Sequence, residues 1–178
     1  MNEIAVFGGG CFWCTEAVFS MLRGVTLVTP GYAGGDALSA NYASVSTGET
    51  KHAEVIQVQF NPDVITFQQL LSVFFVSHDA TQLNQQGADV GTQYRSVIFY
   101  TTPEQKNLSE QYIKETLKEV SAPIVTEVVP LVDFYPAEEY HKKYYTQNSN
   151  AQYCQIVIAP KIEKVEKQFK SLLETHAQ

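Results

Sequence analysis

Cysteine is scarce in this chain: three residues in 178, at positions 11, 14 and 154. Three cysteines make no disulfide framework for a chain of this size, and an odd number leaves at least one thiol unpaired. A reducing compartment, the cytoplasm, is therefore expected, with any disulfide transient and chemical. No apolar run approaches the roughly 20 residues that a bilayer-spanning helix needs, so no membrane partner is expected. The opening residues, MNEIAVFGGG, show no basic segment leading into an apolar core, and no export signal is expected. Basic side chains are outnumbered, 12 against 19 acidic, for a net charge of −7. No basic stripe exists to drive counterion release, which argues against a nucleic-acid partner. Repeats, low-complexity segments and visible domain boundaries are also missing, so residues 1–178 are expected to form one domain, with 146–178 as a tail.

What is present centres on FGGGCFWCTEAVFSML, residues 7–22. An apolar strand runs into three glycines, then a cysteine, two large aromatic rings and an amphipathic helix. Glycines let the backbone turn tightly, so Cys11 is placed at or just before the first helical turn. The unpaired N–H groups and positive dipole end there are expected to favour its thiolate. Phe12 and Trp13 would supply an apolar floor for a small ligand. A plain buried cysteine in a strand-to-helix turn is the blander alternative.

Along the chain, EIAVF (3–7) reads as a buried strand, followed by a helix from Thr15 that Gly24 ends. VTLVT (25–29) reads as a strand closed by Pro30 and Gly31, and a long polar connection runs to His52. AEVIQVQF (53–60) alternates, which directs the Glu54 carboxylate to the same face as Ile56, Val58 and Phe60. An inward carboxyl at a strand mouth is either capped by hydrogen bonds or held at a raised pKa for a purpose. Thr66 and Gln69 form a capping box for a helix over 67–75. A second long loop covers 77–95, SVIFY (96–100) is a strand, and Thr102, Pro103 and Gln105 start a helix running to about Glu119. A strand at 124–129, a short helix at 137–145, a loop leading to Cys154, a brief apolar segment at 156–160 and a surface helix at 161–173 complete the chain. The fold class is α/β, an α+β two-layer arrangement. The order of the first six elements predicts a ferredoxin-like split βαβ core with a mixed sheet, one extra helix, one extra strand and a coil-rich C-terminal tail.

Cys11-Phe12-Trp13-Cys14 also fits the C-x-x-C of a thioredoxin-type redox pair. The triglycine approach, and a third cysteine that needs its own explanation, weaken that reading. Structural zinc would need three cysteines and one of His52, His78 and His141. A C-x₂-C followed by a gap of 139 residues matches no compact zinc knuckle. Cys154 sits in a polar stretch that reads as mobile, suited to attack an oxidised sulfur; an inert tail cysteine is the alternative. Glu54, Tyr42, Asp89 and Tyr94 are each weak candidates alone. Together they offer one protonated carboxyl and two phenols, the donors wanted when an oxygen must leave a neutral sulfur centre.

GCFWCTEAVF (10–19), GYAGG (31–35), KHAEVIQVQF (51–60), SHDATQLNQQGADVGTQYRS (77–96), FYPAEEYHKKYY (134–145) and QYCQ (152–155) resemble, in order, the peptide methionine sulfoxide reductase A family. The resemblance implies a peptide-methionine (S)-S-oxide reductase in a single catalytic domain, working without cofactor or metal. It implies Cys11 as the catalytic thiol, Phe12 and Trp13 as the pair holding the substrate methyl group, and Glu54 as the acid. Tyr42 and Tyr94 resemble the phenols that bind the sulfoxide oxygen, Asp89 a supporting acid, and Cys154 the resolving cysteine. Many members carry glycine where Cys14 stands, so its role, structural or as a second resolving thiol, stays open. The implied partners are thioredoxin or a similar dithiol, oxidised polypeptides and free methionine sulfoxide. The chain is expected to act as a monomer.

Overall fold

The computed structural model describes residues 1–174, with residues 117 and 119 excepted. The strands are β1 (Glu3–Gly8), β2 (Val25–Ala33), β3 (Ala53–Phe60), β4 (Gln85–Gln86), β5 (Asp89–Val90), β6 (Val97–Tyr100), β7 (Glu127–Pro130) and β8 (Phe134–Pro136). The helices are α1 (Phe12–Phe19), α2 (Tyr42–Val45), α3 (Phe67–Ser77), α4 (Pro103–Thr116), α5 (Tyr144–Gln147) and α6 (Ala159–Gln168). Six strands form one mixed sheet in the order β7-β6-β1-β3-β2-β8. β1 pairs antiparallel with β3 and β6, β2 pairs antiparallel with β3 and β8, and β6 runs parallel to β7. The fold is thus mixed α/β, a mixed sheet with several helices.

The alternation of β3 sorts its side chains as read: Ile56, Val58 and Phe60 enter the main core while Ala53 and Val55 join a smaller cluster on the other face. The main core lies between the sheet and helices α1, α3 and α6. Phe7 anchors it from β1, with ring centroids 5.4, 5.9 and 5.0 Å from Phe19, Phe67 and Phe74. Burying one such ring contributes about 1.5–3 kcal/mol. The capping box forms as read, with Gln69 N–H donating to Thr66 Oγ1 and Thr66 N–H donating to Gln69 Oε1. Thr102 caps α4 through Gln105 N–H. The expected end of that helix, Glu119, lies outside the described residues.

Several elements differ from expectation. α1 ends at Phe19, with Ser20 as its cap, five residues before Gly24. β2 does not stop at Pro30 but continues to Ala33. The Pro30 carbonyl accepts from Ala137 N–H, so the ring nitrogen faces the side where β8 ends and not β3. The strand expected at 124–129 is displaced to β7, and β8 was not foreseen. The C-terminal tail is not coil. Residues 152–168 are continuously helical, with a π-helical turn over Cys154–Ile158 that leads into α6. Pro160 lacks an N–H and crowds the carbonyl four residues back; the wide turn accommodates it. Cys154 is accordingly not on a mobile coil: it is fully buried in the main core.

Candidate active site

β1 leaves the sheet at Gly8, and the chain reaches α1 through Gly9 and Gly10. Gly10 takes φ +93°, where a Cβ would also lie 2.8 Å from Gln86 Cγ, so a side chain there is excluded twice over. The turn delivers Cys11 to the N-cap of α1, as the three glycines suggest. Cys11 is buried, with 7% of its surface exposed. Its thiol is not the free thiolate expected from the helix dipole. Burial pushes its pKa well up, reinforced by the Cys14 thiol and the Glu54 carboxyl, and the Trp13 N–H opposes this only in part. Desolvation outweighs the dipole because the N-terminus lies inside the core and not at its surface.

Glu54 reaches the same turn from the adjacent strand β3. Its Oε2 accepts from Phe12 N–H at 3.1 Å, the first free amide of α1. The carboxyl is 2% exposed. Burial raises its pKa to about 8 against the pull of the Phe12 amide, and the Asp89 and Cys14 charges raise it further. At neutral pH it holds its proton one residue from the Cys11 sulfur.

The two phenols arrive on loops. Tyr42 opens α2, its N–H donating to Glu138 Oε1 at 2.8 Å, and Tyr94 closes the 3₁₀ turn Thr92–Tyr94. Both hydroxyls have raised pKa values, first through desolvation and next through the nearby Glu54 and Cys11 charges. Both are therefore neutral donors, near enough to Glu54 and Cys11 to feel their charges. Asp89, on the small hairpin formed by β4 and β5, accepts from the Tyr153 hydroxyl at 2.7 Å. The structure thus joins Glu54 to the turn that carries Cys11, sets Tyr42 and Tyr94 within reach of both charges, and links Asp89 to the group through Tyr153, which contacts Cys14.

Phe12 is fully packed, against Tyr32 at 5.7 Å and His141 at 5.0 Å between ring centroids. Trp13 is half-buried. Its indole lies flat on Tyr144 (3.6 Å, 5°), meets Tyr153 edge-on (5.9 Å, 80°) and donates Nε1–H to His141 Nδ1 at 3.1 Å. That bond fixes the neutral His141 tautomer with its hydrogen on Nε2. Nε2 is buried and has no hydrogen-bond partner, and it lies 3.8 Å from Glu138 Oε2. Glu16 in α1 accepts from Lys143 N–H at 2.8 Å and so ties down the turn that presents Tyr144.

Sequence reasoning assigned no role to Glu138, Tyr144, Tyr153 or Glu16, and weighed His141 only as a zinc ligand. The signal lay in FYPAEEYHKKYY, where a histidine and tyrosines cluster; in place of the short helix expected over 137–145 the chain makes a 3₁₀ turn at Glu139–His141 and then α5 from Tyr144. Among the described residues no group of three or more His, Cys, Asp and Glu side chains gathers as a metal set. His52 accepts from Gly35 N–H, and His78 bonds the Phe74 carbonyl and Ser96.

A buried thiol at a helix start, a protonated carboxyl bonded to the next amide and a set of aromatic rings packed around Phe12 and Trp13 are the groups gathered at this end of the sheet. The family model for peptide methionine sulfoxide reductase matches residues 3–173. The peptide methionine sulfoxide reductase MsrA of Sulfolobus acidocaldarius is 50% identical over 167 residues, 94% of this chain and 95% of that protein. The reduced form of Mxr1 from Saccharomyces cerevisiae superposes with a TM-score of 0.76 at 34% identity, over 86% of this chain and 89% of that one. Mxr1 in complex with Trx2 matches with a TM-score of 0.52 at 25% identity, over 80% of this chain and 84% of that one. The chain belongs to the peptide methionine sulfoxide reductase family.

Proposed function

We propose that the chain reduces the S epimer of methionine sulfoxide, free or within a polypeptide, with Cys11 as nucleophile and Glu54 as acid. The observation that carries the assignment of roles is the buried Glu54 carboxyl, protonated up to about pH 8 and bonded to the amide next to Cys11. A sulfoxide sulfur becomes electrophilic when its oxygen gains a proton. Glu54 donates that proton, and the Tyr42 and Tyr94 hydroxyls stabilise charge growing on the same oxygen. Phe12 and Trp13 hold the methyl group. As the Cys11 sulfur attacks the substrate sulfur, its thiol proton replaces the one that Glu54 has given to the oxygen. The oxygen with its new proton ends on Cys11, which is oxidised by two electrons to a sulfenic acid, while methionine leaves reduced by two. Asp89 supports the pocket through Tyr153.

A second thiol then condenses with the sulfenic acid and water leaves. Cys154 holds this resolving role by resemblance, and the resulting disulfide is recycled by an external dithiol. The Mxr1–Trx2 complex supports a reductant of the thioredoxin type. The chemistry invokes no cofactor or metal. We further read the chain as a single catalytic domain that acts as a cytoplasmic monomer. The run β6-β1-β3-β2, antiparallel at every pair, supports the split βαβ reading of its core.

The test is a single turnover without reductant on separated epimers. The S sulfoxide should yield at least one methionine per chain, and the R sulfoxide and the Cys11→Ser variant should yield none. Equal yield from both epimers, or undiminished yield from Cys11→Ser, would overturn the assignment.

A further inference from the structure

Glu16 has no place in the chemistry described so far, yet the fold buries it beside the side chain that is to hold the substrate. It follows Trp13 by three residues in α1, so the indole and the carboxylate leave the same face of that helix. Glu16 is 4% exposed. A carboxylate is rarely buried so far unless it is bonded, and its partners here are main-chain amides. Its Oε1 accepts from Lys143 N–H at 2.8 Å. Burial pushes its pKa up, and the Lys143 and Tyr144 amides oppose this by favouring the charged form, helped by the Lys143 and Lys142 charges.

Those amides open α5, a helix of only 4 residues. So short a helix has no stability of its own, and no side chain of its own segment caps it. Lys143, at its start, stands in the left-handed region with φ +54° and ψ +33°. That conformation is costly for a residue with a Cβ and persists only where the surroundings hold it. The Glu16 oxygen meets the amide of that very residue. The next residue is Tyr144, whose ring lies flat on the Trp13 indole. Trp13 is thus held at its face by Tyr144 and at Nε1 by His141, and the backbone that presents Tyr144 is held in turn from α1.

We propose that Glu16 is a positioning residue for sulfoxide recognition: it fixes the Lys143–Tyr144 turn so that the Tyr144 ring sets the plane of the Trp13 indole against which the substrate's methyl group packs. The inference rests on Phe12 and Trp13 holding that methyl group. Glu16 exchanges no proton with the sulfoxide. It acts on how tightly, and how selectively, the alkyl group on sulfur is held. An indole fixed in one plane admits a methyl group and resists a longer one, whereas a loosened indole gives way. Loss of Glu16 therefore shows in binding and not in the rate of the bound complex.

The experiment follows single turnovers without reductant in the wild type, Glu16→Ala, Glu16→Gln and Glu16→Asp. The substrates are methionine S-sulfoxide and its analogue with an ethyl group in place of the methyl on sulfur, each over a range of concentrations. Trp13 is the chain's only tryptophan, so quenching of tryptophan emission by acrylamide reads its surroundings directly. Glu16→Ala should raise the half-saturating sulfoxide concentration about tenfold and leave the saturating rate within about twofold. It should also lower the preference for methyl over ethyl and make Trp13 easier to quench. Glu16→Gln still offers an oxygen to the Lys143 amide and should recover most of the loss. Glu16→Asp keeps the charge but withdraws the oxygen by one methylene, and should not. In a Tyr144→Ala background, adding Glu16→Ala should raise half-saturation by less than about twofold, because its effect runs through that ring. Wild-type half-saturation and quenching in Glu16→Ala would overturn the proposal, as would a lowered saturating rate at unchanged half-saturation or a full loss in the Tyr144→Ala background. Should Glu16→Ala yield no methionine, the other pair decides: Gln near wild type with Asp impaired supports the proposal, and equal behaviour of the two overturns it. Absence of methionine from the wild type would overturn the reductase reading instead.

Discussion

The proposed site is built from two segments that are held in place by different means. Residues 7–16 are set by main-chain pairing: β1 is flanked by β3 and β6, Phe7 sits in a cluster of rings, and Gly10 leaves the backbone one path into α1. Residues 138–154 are held largely by side chains that the first segment and its neighbours offer. Glu16 takes the Lys143 amide, Trp13 takes His141 and Tyr144, and Asp89 takes Tyr153. Opening the first segment means breaking the sheet, whereas opening the second costs a few hydrogen bonds and one ring stack. The proposed nucleophile and acid are therefore on the stiff half, and the side chains packed beside them from 138–154 are on the pliable half.

Substitutions that sharpen this contrast rank by which half they touch. Cys11→Ser should abolish methionine formation in both steady-state and single-turnover assays read by chromatography. Glu54→Gln keeps the shape but removes the acid, and kcat/KM should fall by about 10²–10⁴. The same change should alter stability in a defined sense. A carboxyl whose folded pKa is raised from 4.5 to about 8 contributes stability present below about pH 4.5 and lost as pH rises through about 8. The Tm of Glu54→Gln should therefore fall less than that of the wild type between these limits.

The pliable half predicts smaller effects. Tyr144→Ala removes the ring stacked on Trp13, worth about 0.5–1.5 kcal/mol beyond its buried area, so KM should rise up to about tenfold with kcat little changed. Tyr153→Phe deletes one hydrogen bond to Asp89, about 1 kcal/mol, and should speed labelling of the buried thiols by iodoacetamide about fivefold. A Tyr153→Phe effect on kcat as large as that of Glu54→Gln would erase the distinction between the halves.

The same division governs what could be read from the amino-acid order. The N-cap position of Cys11, the inward face of Glu54 and the Thr66 capping box follow from local rules of glycine turns, strand alternation and side-chain capping, and all three are present. The raised Cys11 pKa was not legible, because desolvation depends on how deeply the tertiary fold buries a helix start. Nor was the packing of 138–158. TQNSNAQ is polar and reads as loop, and Pro160 reads as a break, yet tertiary contacts with Trp13 and Asp89 fold this stretch into helical turns and bury Cys154. The roles of Tyr42, Tyr94 and Asp89 came from the family resemblance; the loops carrying them have no periodicity to reveal that they converge.

The most direct test of the account is the pH dependence of the single-turnover rate of methionine formation from the S sulfoxide, measured without reductant between pH 6 and 10. With Glu54 as the proton donor, the rate must decline as pH rises through about 8, approaching tenfold per pH unit beyond it, and this limb must vanish from the residual rate of Glu54→Gln. A rate that climbs steadily across pH 8, with the same profile in Glu54→Gln, would contradict it.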